Sequence, residues 1–210
     1  MTPKSLLLIH GAGSGPWVFD GWGESFPGLH IAVPDLHEGL DVGRASMDDY
    51  TARVVAEGRL LGKPLAVCGW SMGGLVAMMA ASKLGPEWLI LVEASAPREV
   101  QGFNEQIEPC PGVFDSERVY GAFPSGVRSR PESQYARAER KRGISVAALP
   151  ERTLVISGRE YPDERGRQLA AFYGAHLREF PTLSHWELVR AISVRDEIRR
   201  FLAAGRPVPK

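Results

Sequence analysis

The sequence predicts an α/β fold, a three-layer α/β/α sandwich around a mostly parallel sheet of about six strands. Three observations carry that expectation. Short runs of Leu, Ile and Val recur along the chain, apolar on both faces, as strands covered by helices on both sides must be. Each is followed by a glycine-containing loop and then a longer segment with helical periodicity. Finally, 210 residues with 44% hydrophobic and 24% charged side chains match one ordinary globular domain, read as residues 1–210.

The first strand, Leu6 to Ile9, runs into His10-Gly11-Ala12-Gly13 and is too short for the apolar core of a signal peptide. Ile31 to Val33 is the second. A helix from Asp48 to Leu61 opens on acidic residues, places Val54, Val55, Leu60 and Leu61 on one face, and stops at Gly62 ahead of Lys63-Pro64. Leu65 to Cys68 is the third strand, followed by an Ala-, Met- and Leu-rich helix from Gly73 to Leu84 that Gly85-Pro86 ends. Leu89 to Val92 is the fourth. From Ala96 to Pro150 the rhythm breaks: prolines and arginines accumulate and no strand stands out, so residues 96–150 read as an insertion, helical near Arg137. Leu154 to Ile156 and a weaker run near Leu177 to Phe180 complete the sheet. Glu187 to Ala203 closes the chain as one helix, with Leu188, Val189, Ile192, Ile198 and Leu202 inward and Arg190, Arg195, Arg199 and Arg200 in solvent.

Charge and cysteine content exclude several function classes. Lys plus Arg and Asp plus Glu both number 25, so there is no basic field to gather nucleic acid or anionic lipid. No apolar stretch approaches the roughly 20 residues that span a bilayer. Cys68 in an apolar run and Cys110 between prolines read as free thiols of a reducing, cytoplasmic compartment. No H-E-x-x-H or C-x-x-C spacing occurs, and neither a metal nor another cofactor is expected. Oligomeric state leaves no mark in the sequence.

The chemistry concentrates at Gly69-Trp70-Ser71-Met72-Gly73. This G-x-S-x-G pattern joins a buried strand to a small-residue helix, the two halves of a nucleophile elbow. The turn is so tight that side chains two residues before or after the nucleophile would clash, which explains the flanking glycines. Ser71 would also stand at a helix N-terminus, where free amides and the dipole favour developing negative charge.

On these residues the chain resembles enzymes of the α/β-hydrolase fold, in order over nearly its whole length apart from the insertion. Leu7-Leu8-Ile9-His10-Gly11-Ala12-Gly13 matches the family's strand and His-Gly-x-Gly loop. The resemblance implies an oxyanion hole made by the backbone N–H groups of Ala12 and Met72. It also implies a base in the loop between the last strand and the final helix, where Leu183-Ser184-His185-Trp186-Glu187 stands; of the five histidines, His185 is the candidate. His10, His30 and His37 precede the nucleophile, and His176 belongs to the strand. Family members commonly carry about eight strands, so a chain starting on the strand before His10 has two N-terminal strands fewer, with 96–150 as a cap or lid.

The acid departs from the family's pattern. Where an aspartate is usual, Gly158-Arg159-Glu160-Tyr161 puts a tyrosine, and a phenol cannot orient and charge-stabilise a histidine as a carboxylate does. Glu160 and Asp163 lie in that loop. Glu93, at the end of the fourth strand, resembles the acid position of haloalkane dehalogenases in the same superfamily and is favoured. Serine rather than aspartate as nucleophile argues against dehalogenase or epoxide hydrolase chemistry.

Trp17, Trp70 and Trp186 are candidates to line the substrate pocket. The Gly69-to-Gly74 run is similar to that of esterases cleaving the methyl ester of pimeloyl carrier protein and of related small carboxylesterases. The expected function is a serine hydrolase acting on a small-molecule carboxylic ester or thioester through Ser71, His185 and Glu93 and an acyl-enzyme. Two other readings stay open: a lyase of the same fold, such as a hydroxynitrile lyase, and a non-catalytic ligand-binding member. Zero net charge fits a neutral, open, apolar site.

Overall fold

The computed structural model describes residues 2–159 and 164–204. Six strands, β1 (Ser5–Ile9), β2 (His30–Ala32), β3 (Leu65–Trp70), β4 (Trp88–Val92), β7 (Thr153–Gly158) and β8 (His176–Phe180), form one sheet in the order β2-β1-β3-β4-β7-β8, every neighbouring pair parallel. Parallel neighbours require crossovers, and helices supply them on both faces, as the sequence predicts.

Alternation along the strands builds two cores. Leu7, Ile9, Val67, Leu89, Leu91 and Val155 face α2 (Met47–Leu60), α3 (Met72–Leu84) and α7 (Arg165–Tyr173). Leu6, Leu8, Cys68, Ile90, Leu154 and Ile156 face a 3₁₀ turn (Pro16–Phe19), α1 (Trp22–Ser25), α8 (His185–Arg190) and α9 (Ile192–Ala203).

Helix α2 begins at a capping box: the Ser46 hydroxyl accepts from Asp49 N–H, and the Asp49 carboxylate accepts from Ser46 N–H. Its last residue, Leu60, is 79% exposed, against expectation. Six residues beyond Val54 it has turned about 240° around the helix, away from the sheet.

The closing helix is two helices rather than one. Ala191 takes an extended conformation (φ −70°, ψ 132°) between α8 and α9. The break resets the helical phase, so Val194, Ile198 and Leu202 are buried while Ile192 is 66% exposed.

Residues 96–150 contain α4 (Arg98–Gln101), the antiparallel pair β5 (Val113–Phe114) and β6 (Glu132–Ser133), α5 (Ser116–Tyr120) and α6 (Gln134–Arg142). Two-residue strands are too short to show a period of two, which is why they escape a reading of the sequence. Ala136 and Val146 anchor the segment in the core beside α2 and α3. Among the described residues, no helix is long and apolar enough to cross a membrane.

Candidate active site

The turn from β3 to α3 holds Ser71 at φ 58°, ψ −125°, a left-handed conformation that costs a non-glycine residue about 1–3 kcal/mol. The surroundings enforce it. Ser71 N–H donates to Val92 O at 3.0 Å, and Ser71 O accepts from Gly74 N–H at 3.0 Å and Ser95 N–H at 2.9 Å. A Cβ on Gly69 would lie 2.2 Å from Gly73 O, and one on Gly73 would lie 2.3 Å from Ile9 O. Ser46, Ser133 and Ser184 spend their hydroxyls capping helices, whereas the Ser71 hydroxyl makes no cap bond at α3.

His185 is the first residue of α8, placed there by a second capping box between Ser184 and Glu187. Its Nδ1 donates to the Glu93 carboxylate in a short hydrogen bond. The other Glu93 oxygen accepts from Gly158 N–H at 3.0 Å. Glu93 is buried and has φ 42°; its strained backbone at the end of β4 turns the carboxylate toward His185. With Nδ1–H directed at Glu93, Nε2 is left as the acceptor. Trp70 supports the other side of the ring, with centroids 4.7 Å apart and its indole N–H on His185 O at 3.2 Å. Glu160 and Asp163, the alternative acids, lie outside the described residues, as does Tyr161.

Ser71, His185 and Glu93 line one cavity of about 390 Å³ together with Ala12, Trp70 and Trp186. Met72 is buried directly after Ser71 as the first residue of α3. From residues 96–150 the cavity receives Tyr120, Ala122, Phe123 and Arg140. Trp17, expected in the pocket, is elsewhere. The 3₁₀ turn directs it to a larger groove of about 560 Å³ beyond Trp186, which contains neither Ser71 nor His185. There Arg128 covers the Trp17 ring at 4.1 Å, and the indole N–H donates to Arg128 O at 3.0 Å.

The expectation of a neutral, apolar site also fails, because Arg140 lines the cavity while only 8% exposed. Whole-chain charge is a sum, whereas a site's field is set by the nearest desolvated charge.

Beneath the His10–Gly13 loop lies a buried polar network. His10 Nδ1 donates to Gly11 O at 2.9 Å, while Nε2 accepts from Leu36 N–H at 3.1 Å and lies 3.2 Å from Arg130 Nη2. Burial pushes the His10 pKa down and keeps the ring neutral. Arg130 grips Asp35 with both terminal nitrogens, at 2.9 and 2.6 Å, and its backbone N–H donates to Gly13 O at 2.9 Å. Glu132 is 1% exposed and accepts from Gly13 N–H at 2.9 Å, Ser133 N–H at 2.8 Å and Tyr50 O–H, with His37 Nε2 at 3.0 Å. Both backbone polar groups of Gly13 are thus held by residues of the 96–150 segment. Glu132, Arg130 and Arg140 escape a reading of the sequence because their partners are distant in the chain. The Ser184-x-x-Glu187 pattern is the signal that starts α8 at His185, two residues before the expected start at Glu187. Among the described residues, no group of three or more His, Cys, Asp or Glu side chains is arranged to hold a metal ion.

A sequence profile of the alpha/beta hydrolase family matches residues 6–205. The chain belongs to that family. Over 86 residues it is 34% identical to a pimeloyl-[acyl-carrier protein] methyl ester esterase of Aromatoleum aromaticum, covering 40% of this chain and 33% of that protein. The match therefore spans about a third of that relative's length. In three dimensions this alpha/beta hydrolase resembles a pyrethroid hydrolase from Sphingobium faniae JZ-2 (TM-score 0.68, 17% identity, 96% of this chain and 98% of that one). It also resembles polyneuridine aldehyde esterase (TM-score 0.64, 16% identity, 95% and 97%) and a structure from work on the metagenome-derived lipolytic enzymes LipS and LipT (TM-score 0.64, 19% identity, 96% and 94%). At these identities the likeness is one of fold.

Proposed function

We propose that the protein is a serine hydrolase of small carboxylic esters, with Ser71 as nucleophile, His185 as general base and Glu93 as the acid that orients it. The observation that carries this reading is the Glu93–His185 pair standing in the same cavity as a serine held at strained backbone angles. The methyl ester esterase that part of the chain resembles supports the same chemistry.

In the proposed cycle, His185 Nε2 takes the Ser71 proton as Oγ attacks the ester carbonyl. Glu93 stabilises the imidazolium, and the N–H groups of Ala12 and Met72 hold the oxyanion. Collapse of the tetrahedral intermediate breaks the bond to the alcohol, which leaves with the proton from His185. Water, deprotonated by His185, then attacks the acyl-enzyme, releasing the carboxylic acid and free Ser71. Residues 96–150 act as the cap of this single domain, supplying Tyr120, Phe123 and Arg140 to the cavity.

A non-catalytic binding role rested on a missing acid, and the Glu93 carboxylate beside His185 weighs against it. The test is Ser71→Ala assayed on a short p-nitrophenyl ester, with trapping of acyl-enzyme from a slow ester. Loss of both turnover and adduct is expected. Full retained activity refutes the assignment.

A further inference from the structure

Arg140 is a cation buried at the wall of the cavity that holds Ser71 and His185. A charge removed from water is normally matched by an opposite charge, because desolvation is costly. Among the described residues the Arg140 guanidinium is matched only by hydroxyls: Nη1 donates to Ser95 Oγ at 2.9 Å and Nη2 to the Tyr120 hydroxyl at 2.8 Å. Among the described residues no carboxylate comes within ion-pair distance of it, and its Nε–H has no acceptor. Acids nearby are committed elsewhere. Glu93 serves His185 and Gly158 N–H, Glu132 serves Gly13, His37 and Tyr50, and Glu139 accepts from Met47 N–H.

The geometry holds the guanidinium in place rather than neutralising it. Ser95, whose hydroxyl fixes one end, is itself tied through its N–H to Ser71 O, and Gln101 Nε2 donates to Arg140 O at 2.6 Å. The Tyr120 oxygen accepts from Arg140, so its own proton is available to a second acceptor, and Tyr120 also lines the cavity. Two donors, one of them charged, therefore line the cavity that holds the nucleophile, and neither is paired with a carboxylate among the described residues.

We propose that the Arg140–Tyr120 end of the cavity is a carboxylate subsite, so that the preferred substrates are esters that also carry a free carboxylate. As a statement about substrates it rests on the ester-hydrolase reading above; as a statement about binding it stands separately. The carboxylate accepts charge-assisted bonds from Arg140 and the Tyr120 hydroxyl, placing the ester carbonyl over Ser71.

The experiment compares kcat/KM for the monomethyl esters of succinate, glutarate and adipate with their dimethyl esters, which places the carboxylate on the acyl side. Acetate esters of short ω-hydroxy acids against butyl acetate place it on the alcohol side. In one of these arms the anionic ester is expected to be favoured by about tenfold or more, the ratio falling to about one in Arg140→Gln and partly returning in Arg140→Lys. Equal or better use of the neutral esters by the unaltered enzyme, or a ratio unchanged in Arg140→Gln, overturns the proposal. Binding is read in parallel as the rise in Tm that glutarate, succinate or butyrate gives Ser71→Ala, expected to vanish when Arg140→Gln is added and to survive with Arg140→Lys. If no ester is turned over yet this Arg140-dependent shift persists, the hydrolase reading fails and the subsite stands. No shift with any of these carboxylates, in a folded Ser71→Ala protein, overturns the subsite.

Discussion

Replacing Glu132 with glutamine removes the negative charge from the group that ties the 96–150 segment to Gly13, and the structure allows its effect to be sized. Burial alone would push this carboxyl up. Hydrogen bonding and charge from His37, with bonds from Tyr50 and Gly13 N–H, instead hold it at about 2, against an ordinary 4.5. A folded-state value below the unfolded one means that the carboxylate stabilises the fold above pH 4.5 and that this contribution is lost as pH falls toward 2. The difference corresponds to about 3 kcal/mol at neutral pH.

Other depressed carboxylates titrate over the same range, so the quantity to measure is the stability of the unaltered protein minus that of Glu132→Gln, from urea unfolding across pH 6 to 2.5. Its pH-dependent part is expected to shrink from about 3 kcal/mol at pH 6 to less than about 1 kcal/mol at pH 2.5. Glutamine keeps the shape and one acceptor, so a loss that is the same at every pH would reflect packing alone. A difference that does not change between pH 6 and 2.5 refutes the charged, hydrogen-bonded Glu132 described above.

Other consequences of the geometry are equally measurable. Glu93→Gln keeps the side chain's shape but removes the charge facing His185, and kcat on an ester substrate is expected to fall by about 10²- to 10⁴-fold; normal turnover in this variant alongside an inactive Glu160→Gln would move the acid to the other loop. Gly69→Ala forces a Cβ to within 2.2 Å of Gly73 O, and should cost at least about 2 kcal/mol of stability in chemical denaturation or prevent folding. A Gly69→Ala variant as stable as the parent would contradict that tight turn. Both cysteines are free, but Cys68 is buried and its thiol is pushed up by desolvation, while Cys110 is exposed. Alkylation of the native protein should therefore modify Cys110 alone, and mass spectrometry of digested protein showing equal modification of Cys68 would be inconsistent with that burial.

Local pattern made the strands, α3 and the elbow readable. Leu65 to Trp70 is apolar at every position because both faces are covered, and Gly69 and Gly73 are glycine because the backbone passes within contact distance there. His185 was legible from its place before the closing helices. The carboxylate facing His185 was only half legible: Glu93 could be named from its position after β4, but its reach to His185 depends on a left-handed backbone that no short pattern encodes. Trp17 was misplaced for a related reason, since proximity in sequence to the His10–Gly13 loop does not fix the side of Trp186 on which a side chain falls.

By itself, then, the sequence determined the parallel sheet, its covering helices, the serine elbow and the histidine that follows the last strand. These are written in contacts between residues a few positions apart, where periodicity and glycine placement act directly. Only the tertiary structure decided the carboxylate facing His185, the clamp of Glu132 and Arg130 on Gly13, and the buried Arg140 beside Ser71. Those depend on pairs separated by tens of residues in the chain and on desolvation, which exists only once the chain has packed.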